Sequence, residues 1–140
     1  MSHFERELRQ ALSSPLTAGI LVIAASECAV ADRLERAFPF DGSKIDWGAV
    51  KGHINGSGES GFRRFFADCR DKLGGDAKAF YLNDDQMDCA IGGSLFAFER
   101  HLDAILAVPA HHYFVADDFS WCIAHSMEGD SDFGWSTSVG

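Results

Sequence analysis

Three histidines and two aspartates lie close together in the last third of the chain, and side chains of these kinds can bind a metal or transfer protons. They are His111, His112, His125, Asp117 and Asp118. If His111 and His112 lie in a β-strand, they point to opposite faces, so at most one can join His125. Two ligands on one face do not make a zinc site unless a carboxylate from elsewhere completes it. We therefore expect no metal or cofactor, and a small metal-dependent or small-molecule enzyme using these residues is the alternative interpretation.

Cys122 and His125 form a second arrangement that could support catalysis, with a thiol nucleophile and an imidazole base. Their spacing of three residues also places them on opposite faces of a strand. The paired aspartates, Asp84–Asp85 and Asp117–Asp118, occur among turn residues, where aspartate is favoured because it hydrogen-bonds the backbone. The sequence therefore gives catalysis no strong support.

Residues 56–61 read GSGESG, which matches the glycine pattern of dinucleotide-binding loops. Such a site needs a hydrophobic strand directly before the first glycine, whereas the preceding residues include Lys51, Gly52, His53 and Asn55. We interpret the segment as a flexible loop in which Ser60 caps the following helix.

Charge is distributed unevenly along the chain. The whole chain has 21 acidic and 12 basic side chains, for a net charge of −9, and no lysine or arginine follows Arg100. Six carboxylates lie beyond that point, at Asp103, Asp117, Asp118, Glu128, Asp130 and Asp132. Direct binding to nucleic acid is therefore not expected, because affinity for phosphates comes from lysine and arginine. Capture of a basic protein or mimicry of nucleic acid fits the charge.

Large apolar and aromatic groups alternate with these acids, so the acidic segment should fold and could present a surface to a basic partner. The candidate partner-binding residues are Tyr113, Asp117, Asp118, Glu128, Asp130, Asp132 and Trp135. If Asp117–Asp118 forms a two-residue turn, Phe114 lies opposite Trp121. His112, Ile123 and His125 then share the face of Phe114, while Tyr113, Val115, Cys122 and Ala124 share the other. The alternative is that both faces belong to the core and are covered by helices.

The length of 140 residues and the hydrophobic content of 46% suit a single domain, residues 1–140. The four cysteines form no CxxC pair, which is typical of reduced thiols. The longest apolar run, residues 18–25, is too short to span a bilayer, and the preceding residues lack the pattern of a signal peptide. We expect a cytoplasmic protein that binds no membrane.

Four helices are predicted, at residues 2–14, 26–38, 62–73 and 95–106, from capping residues and helical spacing of apolar side chains. Strands are predicted at residues 19–25 and 79–82 and through Cys89 and Ile91, with one long helix from Thr17 and a helix from Gln86 as alternatives. Residues 110–116, 119–126 and 131–135 predict a C-terminal β-meander. The expected fold is α+β, an antiparallel sheet packed against three or four helices.

The segment from Tyr113 to Gly134, YFVADDFSWCIAHSMEGDSDFG, resembles the closing hairpin of small bacterial immunity proteins, the antidotes to contact-dependent inhibition and other polymorphic toxins. The resemblance covers 22 of the 140 residues, about a sixth of the chain, as a pattern. It implies a cytoplasmic, acidic α+β protein that occludes a toxin domain, commonly a basic nuclease, by direct binding. We therefore expect a noncatalytic immunity protein, with the enzyme named above as the alternative and a regulatory adaptor as a third interpretation.

Overall fold

The computed structural model describes residues 2–42, 44–56, 61–84 and 87–136. Strands in this part are β1 (Val22–Ser26), β2 (Phe40–Asp41), β3 (Lys44–Ile45), β4 (Lys51–Asn55), β5 (Lys78–Asn83), β6 (Cys89–Ser94), β7 (His112–Ala116), β8 (Trp121–His125) and β9 (Ser131–Trp135). Seven of them form one antiparallel sheet in the order β1-β6-β5-β7-β8-β9-β4, and β2 and β3 form a separate hairpin. The predicted meander is confirmed as β7-β8-β9.

The helices of the described part are α1 (His3–Ala11), α2 (Ser13–Thr17), α3 (Glu27–Ala37), α4 (Gly61–Leu73), α5 (Leu95–Arg100) and α6 (Leu102–Leu106), with a 3-10 turn at Trp47–Ala49. The α+β class is thus confirmed. Helices outnumber the expected three or four because the helix predicted over residues 95–106 breaks at His101 into α5 and α6, and because α2 forms around Pro15. Within the described ranges, none of the helices combines the length and the apolar character that crossing a membrane requires.

Local sequence signals explain the clearest elements. The Ser2 hydroxyl accepts the Glu5 N–H at 3.0 Å and caps α1, as the sequence predicts. The buried Glu5 carboxylate accepts the Asp88 N–H at 2.7 Å and pairs with Arg9 at 2.9 Å, so it joins α1 to the start of β6. Strand β1 followed by α3 confirms the strand-then-helix prediction, and the long helix from Thr17 is wrong. The helix alternative from Gln86 is also wrong, because β6 occupies Cys89–Ser94.

Packed side chains cover both faces of the sheet. On one face, buried residues of α1, α4, α5 and α6 pack against Tyr81, Phe114 and Ile123. On the other, buried residues of α3 and the β3 residue Ile45 pack against Tyr113, Val115 and other strand residues. Both faces of the meander are therefore covered in the described part of the chain, as the alternative expected, although a strand contributes to one cover besides the helix.

The hairpin of β7 and β8 has a longer turn than predicted. Phe114 pairs with Ile123 and His112 with His125, so residues 117–120 form a four-residue connection and Trp121 lies opposite Trp135 of β9. Asp118 explains the longer turn, because its Oδ1 accepts both the N–H and the hydroxyl of Ser120, at 3.0 and 2.5 Å. The register shifts by two residues, so the predicted division of side chains between the faces still holds.

Candidate functional site

The predicted acidic surface is divided between the two ends of the sheet. Asp117 and Asp118 lie in the turn between β7 and β8, whereas Glu128 and Asp130 lie in the turn between β8 and β9. A five-residue strand separates these turns by about 13 Å, from a rise of about 3.3 Å per residue. The expectation of one continuous acidic face is therefore wrong, because consecutive hairpin turns lie at opposite ends of an antiparallel sheet.

Two of the predicted partner residues, Tyr113 and Asp132, are buried, with exposures of 8% and 7%. Asp132 Oδ1 accepts hydrogen bonds from His53 Nε2 at 2.7 Å and from Asn55 Nδ2 at 2.9 Å. The His53 ring stacks on Trp47 with centroids 5.4 Å apart. Contrary to the expectation, Tyr113 and Asp132 are not part of an open surface, because the sheet face that they occupy is covered.

The end of the sheet that carries Asp84, Glu128 and Asp130 is called the acidic end below. All three residues are exposed. Asp84 Oδ1 accepts the His111 N–H at 2.8 Å, and Glu128 Oε1 pairs with Lys44 Nζ at 3.1 Å. That contact lowers the pKa of Glu128, so the carboxylate is ionised at neutral pH. The sequence placed Asp84 in a turn but did not assign it to a surface, because its neighbours here are distant in sequence.

The backbone around His111 organises the acidic end. His111 Nδ1 accepts the Met127 N–H at 3.0 Å, so Nε2 carries the proton of the neutral ring. Nε2 lies 3.8 Å from Asp84 Oδ2, which is too long for a hydrogen bond. The Met127 side chain is 59% exposed and adds an apolar group beside these charges. This end thus combines exposed carboxylates with a flexible thioether, which adapts readily to a partner surface.

A cavity of about 100 Å³ opens at the acidic end, between the meander and the segment that carries β3 and Trp47. Its walls combine aromatic rings with charged groups. They are formed by Lys44, Ile45, Trp47, His111, His112, Tyr113, Ala124, His125, Ser126, Asp130 and Asp132. The contributions of Lys44 and Trp47 were missed, because nothing in the sequence indicates that residues 44–47 pack beside the meander.

A row of polar side chains crosses the helix-covered face at the same end. Asn83 pairs with His112, His112 with His125, and His125 with Ser131, on four adjacent strands. Asn83, His112 and Ser131 are each at most 3% exposed. A buried polar row of this kind requires internal hydrogen bonds, since unsatisfied groups cost about 1–3 kcal/mol each.

Tyr81 supplies the central hydrogen bonds of this row. Asn83 Nδ2 donates to the Tyr81 hydroxyl oxygen at 2.9 Å, and the hydroxyl lies 2.6 Å from His112 Nδ1. The His112 ring also hydrogen-bonds the Val108 backbone. Burial, with a smaller effect of nearby His125, lowers the pKa of His112 to about 4. Neutral His112 therefore accepts a hydrogen bond from the Tyr81 hydroxyl at Nδ1 and donates one from Nε2 to the Val108 backbone.

The side chains named for the enzyme alternative are placed as follows. His112 and His125 share a face, with ring centroids 6.3 Å apart, while His111 precedes β7 at the acidic end. Among the described residues, no group of three or more His, Cys, Asp or Glu side chains could hold a metal ion. Cys122 belongs to the core on the opposite face from His125, and burial raises the pKa of its thiol. The two are therefore not a nucleophile and its base.

Strand β4 forms one edge of the sheet, beside β9, and all five of its residues are exposed. It was not predicted, because an exposed edge strand lacks an alternating apolar pattern. Trp135 is 41% exposed and lies over Gly52, where an added Cβ would be 2.8 Å from the indole Cδ1. The 56–61 glycine motif follows β4, but residues 57–60 lie outside the described residues. The strand before it is an exposed antiparallel edge, unlike the buried parallel strand of a dinucleotide site.

A scan against models of known protein families found no match, and a search of curated proteins found no significant match either.

Proposed function

We propose that this protein is a noncatalytic, cytoplasmic immunity protein that binds and neutralises a cognate toxin domain with a basic surface. The observation that carries the proposal is the acidic end, where the carboxylates of Asp84, Glu128 and Asp130 and the side chain of Met127 are all exposed. Lys44 and His111 are the basic side chains in contact with this group. Complementary charge steers such a partner toward the site, and apolar contact then stabilises the complex.

The acidic end suits a basic partner better than the opposite end does. At the opposite end, the Arg33 guanidinium lies 4.1 Å from the ring centroid of Phe119. The backbone carbonyl of Lys78, an exposed residue, accepts a hydrogen bond from the Asp117 N–H. These cations reduce the negative potential around Asp117 and Asp118. Hydrogen bonds from Ser120 also lower the pKa of Asp118 and occupy one of its oxygens.

Trp135 gives the proposed interface a second contact region. It belongs to the edge formed by β9 and β4, where Ile54 is also 40% exposed. A protein interface of ordinary size covers about 800 Å² on each partner, enough to reach from the acidic end along this edge to Trp135. Trp135 would then act as an aromatic anchor, a role that commonly contributes about 2 kcal/mol or more.

The test begins with the neighbouring reading frame, which we expect to encode a large toxin with a small C-terminal catalytic domain. Association of that purified domain with this protein should slow markedly as salt rises, since exposed charges are screened beyond about 10 Å. The double variant Glu128→Gln, Asp130→Asn should associate about tenfold more slowly at low salt.

The matched control is Asp117→Asn, Asp118→Asn, which removes carboxylates from the opposite end. It should slow association less than the acidic-end variant does, because those charges lie beside Arg33 and Lys78. An equal loss in both variants would show that net charge, and not the acidic end, governs association. A catalytic domain that binds without any dependence on salt would contradict the proposal.

A further inference from the structure

Two buried residues in the wall of the acidic-end cavity, Tyr113 and Asp132, each have a polar side-chain atom without a hydrogen-bond partner among the described residues. Asp132 uses Oδ1 for both His53 and Asn55, so Oδ2 has no hydrogen-bond partner among the described residues. The Tyr113 hydroxyl likewise has none within the described ranges. Both residues line the cavity. Polar groups in such a place are normally hydrogen-bonded, and a ligand with N–H donors would satisfy acceptors of this kind.

We propose that this cavity binds the guanidinium group of a single arginine side chain. The proposal rests on the proposed function for its source, a basic partner protein that inserts this arginine as it binds. A guanidinium carries five N–H donors in one plane, which suits a carboxylate acceptor such as Asp132 in this wall. Trp47 in the cavity wall supplies an aromatic ring of the kind that guanidinium groups contact favourably.

The size of the cavity agrees with this ligand. Its volume of about 100 Å³ is large enough to admit a group as small as the four heavy atoms of a guanidinium. The flexible part of the arginine side chain would leave through the open mouth toward the partner.

Charge around the cavity also favours a cation. Asp130 and Asp132 line it, and Glu128 lies at its edge through the contact with Lys44. Lys44 supplies the ammonium of the wall, and that ammonium is already paired with Glu128 at 3.1 Å. The carboxylates thus outnumber this cation, and an anion such as phosphate would meet unfavourable charge.

The test uses Nα-acetyl-arginine amide as the probe and the full chain as the protein, followed by NMR. Resonances of Trp47 and Tyr113 should shift and saturate, with a dissociation constant in the millimolar range that is common for so small a ligand. The neutral citrulline analogue has nearly the same shape but lacks the charge, so it should bind about tenfold more weakly. Inorganic phosphate should cause no shift at these residues.

Two variants locate the probe. Asp132→Asn should weaken binding about tenfold, because it removes the carboxylate charge. Tyr113→Phe removes only the hydroxyl and should weaken binding about threefold without loss of folding. It keeps the test decisive if Asp132→Asn disturbs the contacts with His53 and Asn55. Asp117→Asn at the opposite end is the matched control and should bind as the unchanged protein does.

The outcomes separate this proposal from the proposed function. Equal binding of the arginine and citrulline probes, shifts caused by phosphate, or full binding by both cavity variants would overturn the arginine site. If the toxin domain still associates in a salt-dependent way, the proposed function survives that loss. Arginine-selective binding in the cavity without association of any such toxin domain would instead support the site and reject the proposed function.

Discussion

Acid should destabilise this protein through His112. The folded pKa is about 4, against an ordinary value of 6.5, and the side chain is 2% exposed. Between these two pH values the unfolded chain binds a proton that the folded protein does not, so stability falls as the pH falls. At 1.36 kcal/mol for each pKa unit, the loss between pH 7 and pH 4 is about 3 kcal/mol from this one group. Burial also lowers the pKa of His125, which adds a change of the same sign.

Urea unfolding at several pH values between 7 and 4 measures this loss. The His112→Leu variant should be less stable at pH 7, because the Tyr81 hydroxyl loses its acceptor. Between pH 7 and pH 4, however, the variant should lose about 3 kcal/mol less stability than the unchanged protein does. His3→Gln, which removes a histidine with a side chain 73% exposed, is the control and should keep the dependence of the unchanged protein. Parallel curves for His112→Leu and the unchanged protein, or titration of His112 near pH 6.5 by NMR, would refute the reasoning.

Three further predictions concern two tryptophans, one glycine and the metal content of the protein. Trp121→Ala should cost about 3–5 kcal/mol of stability because Trp121 is 5% exposed. Trp135→Ala should leave melting nearly unchanged and weaken binding of the proposed partner. Paired melting and affinity measurements compare the two variants. Gly134→Ala should cost about 1–3 kcal/mol in a denaturant titration, because the new Cβ would lie 2.2 Å from Val50 Cγ1, and unchanged stability would mean that the 3-10 turn yields easily. Elemental analysis of protein purified without an affinity tag should find no stoichiometric metal, and a metal that disappears in His125→Ala would favour the enzyme alternative.

Much of the fold could be predicted because its signals are local. The Ser2 cap, the apolar stripe of α4 and the alternation of the meander each depend on spacing within one element. Strand β4 gave no such signal, since its side chains are all exposed and its pairing with β9 joins residues far apart in sequence. The break between α5 and α6 at His101 was also missed, because the apolar side chains of both helices follow one continuous pattern.

The candidate site was less predictable for a related reason. Acidic residues near one another in sequence suggested one surface, but an antiparallel meander sends Asp118 and Glu128 to opposite ends. The acidic end instead joins Asp84, Lys44 and Glu128, whose contacts depend on strand order and on the position of the β2-β3 hairpin. The division of His112 and Cys122 between the faces was correct, because alternation along a strand survives a register shift of two residues.

The covering of both sheet faces has a consequence for engineering this protein. The exposed side chains that remain for the proposed partner then include Met127, Glu128 and Asp130 of the turn at residues 126–130, which lie outside both cores. Turn residues of this kind can be exchanged with little cost in stability, because surface substitutions usually change it by less than about 0.5 kcal/mol. The preference for the proposed partner could therefore be redesigned by substituting these three side chains, with Gly129, whose φ is 97°, and the buried strands on either side kept unchanged.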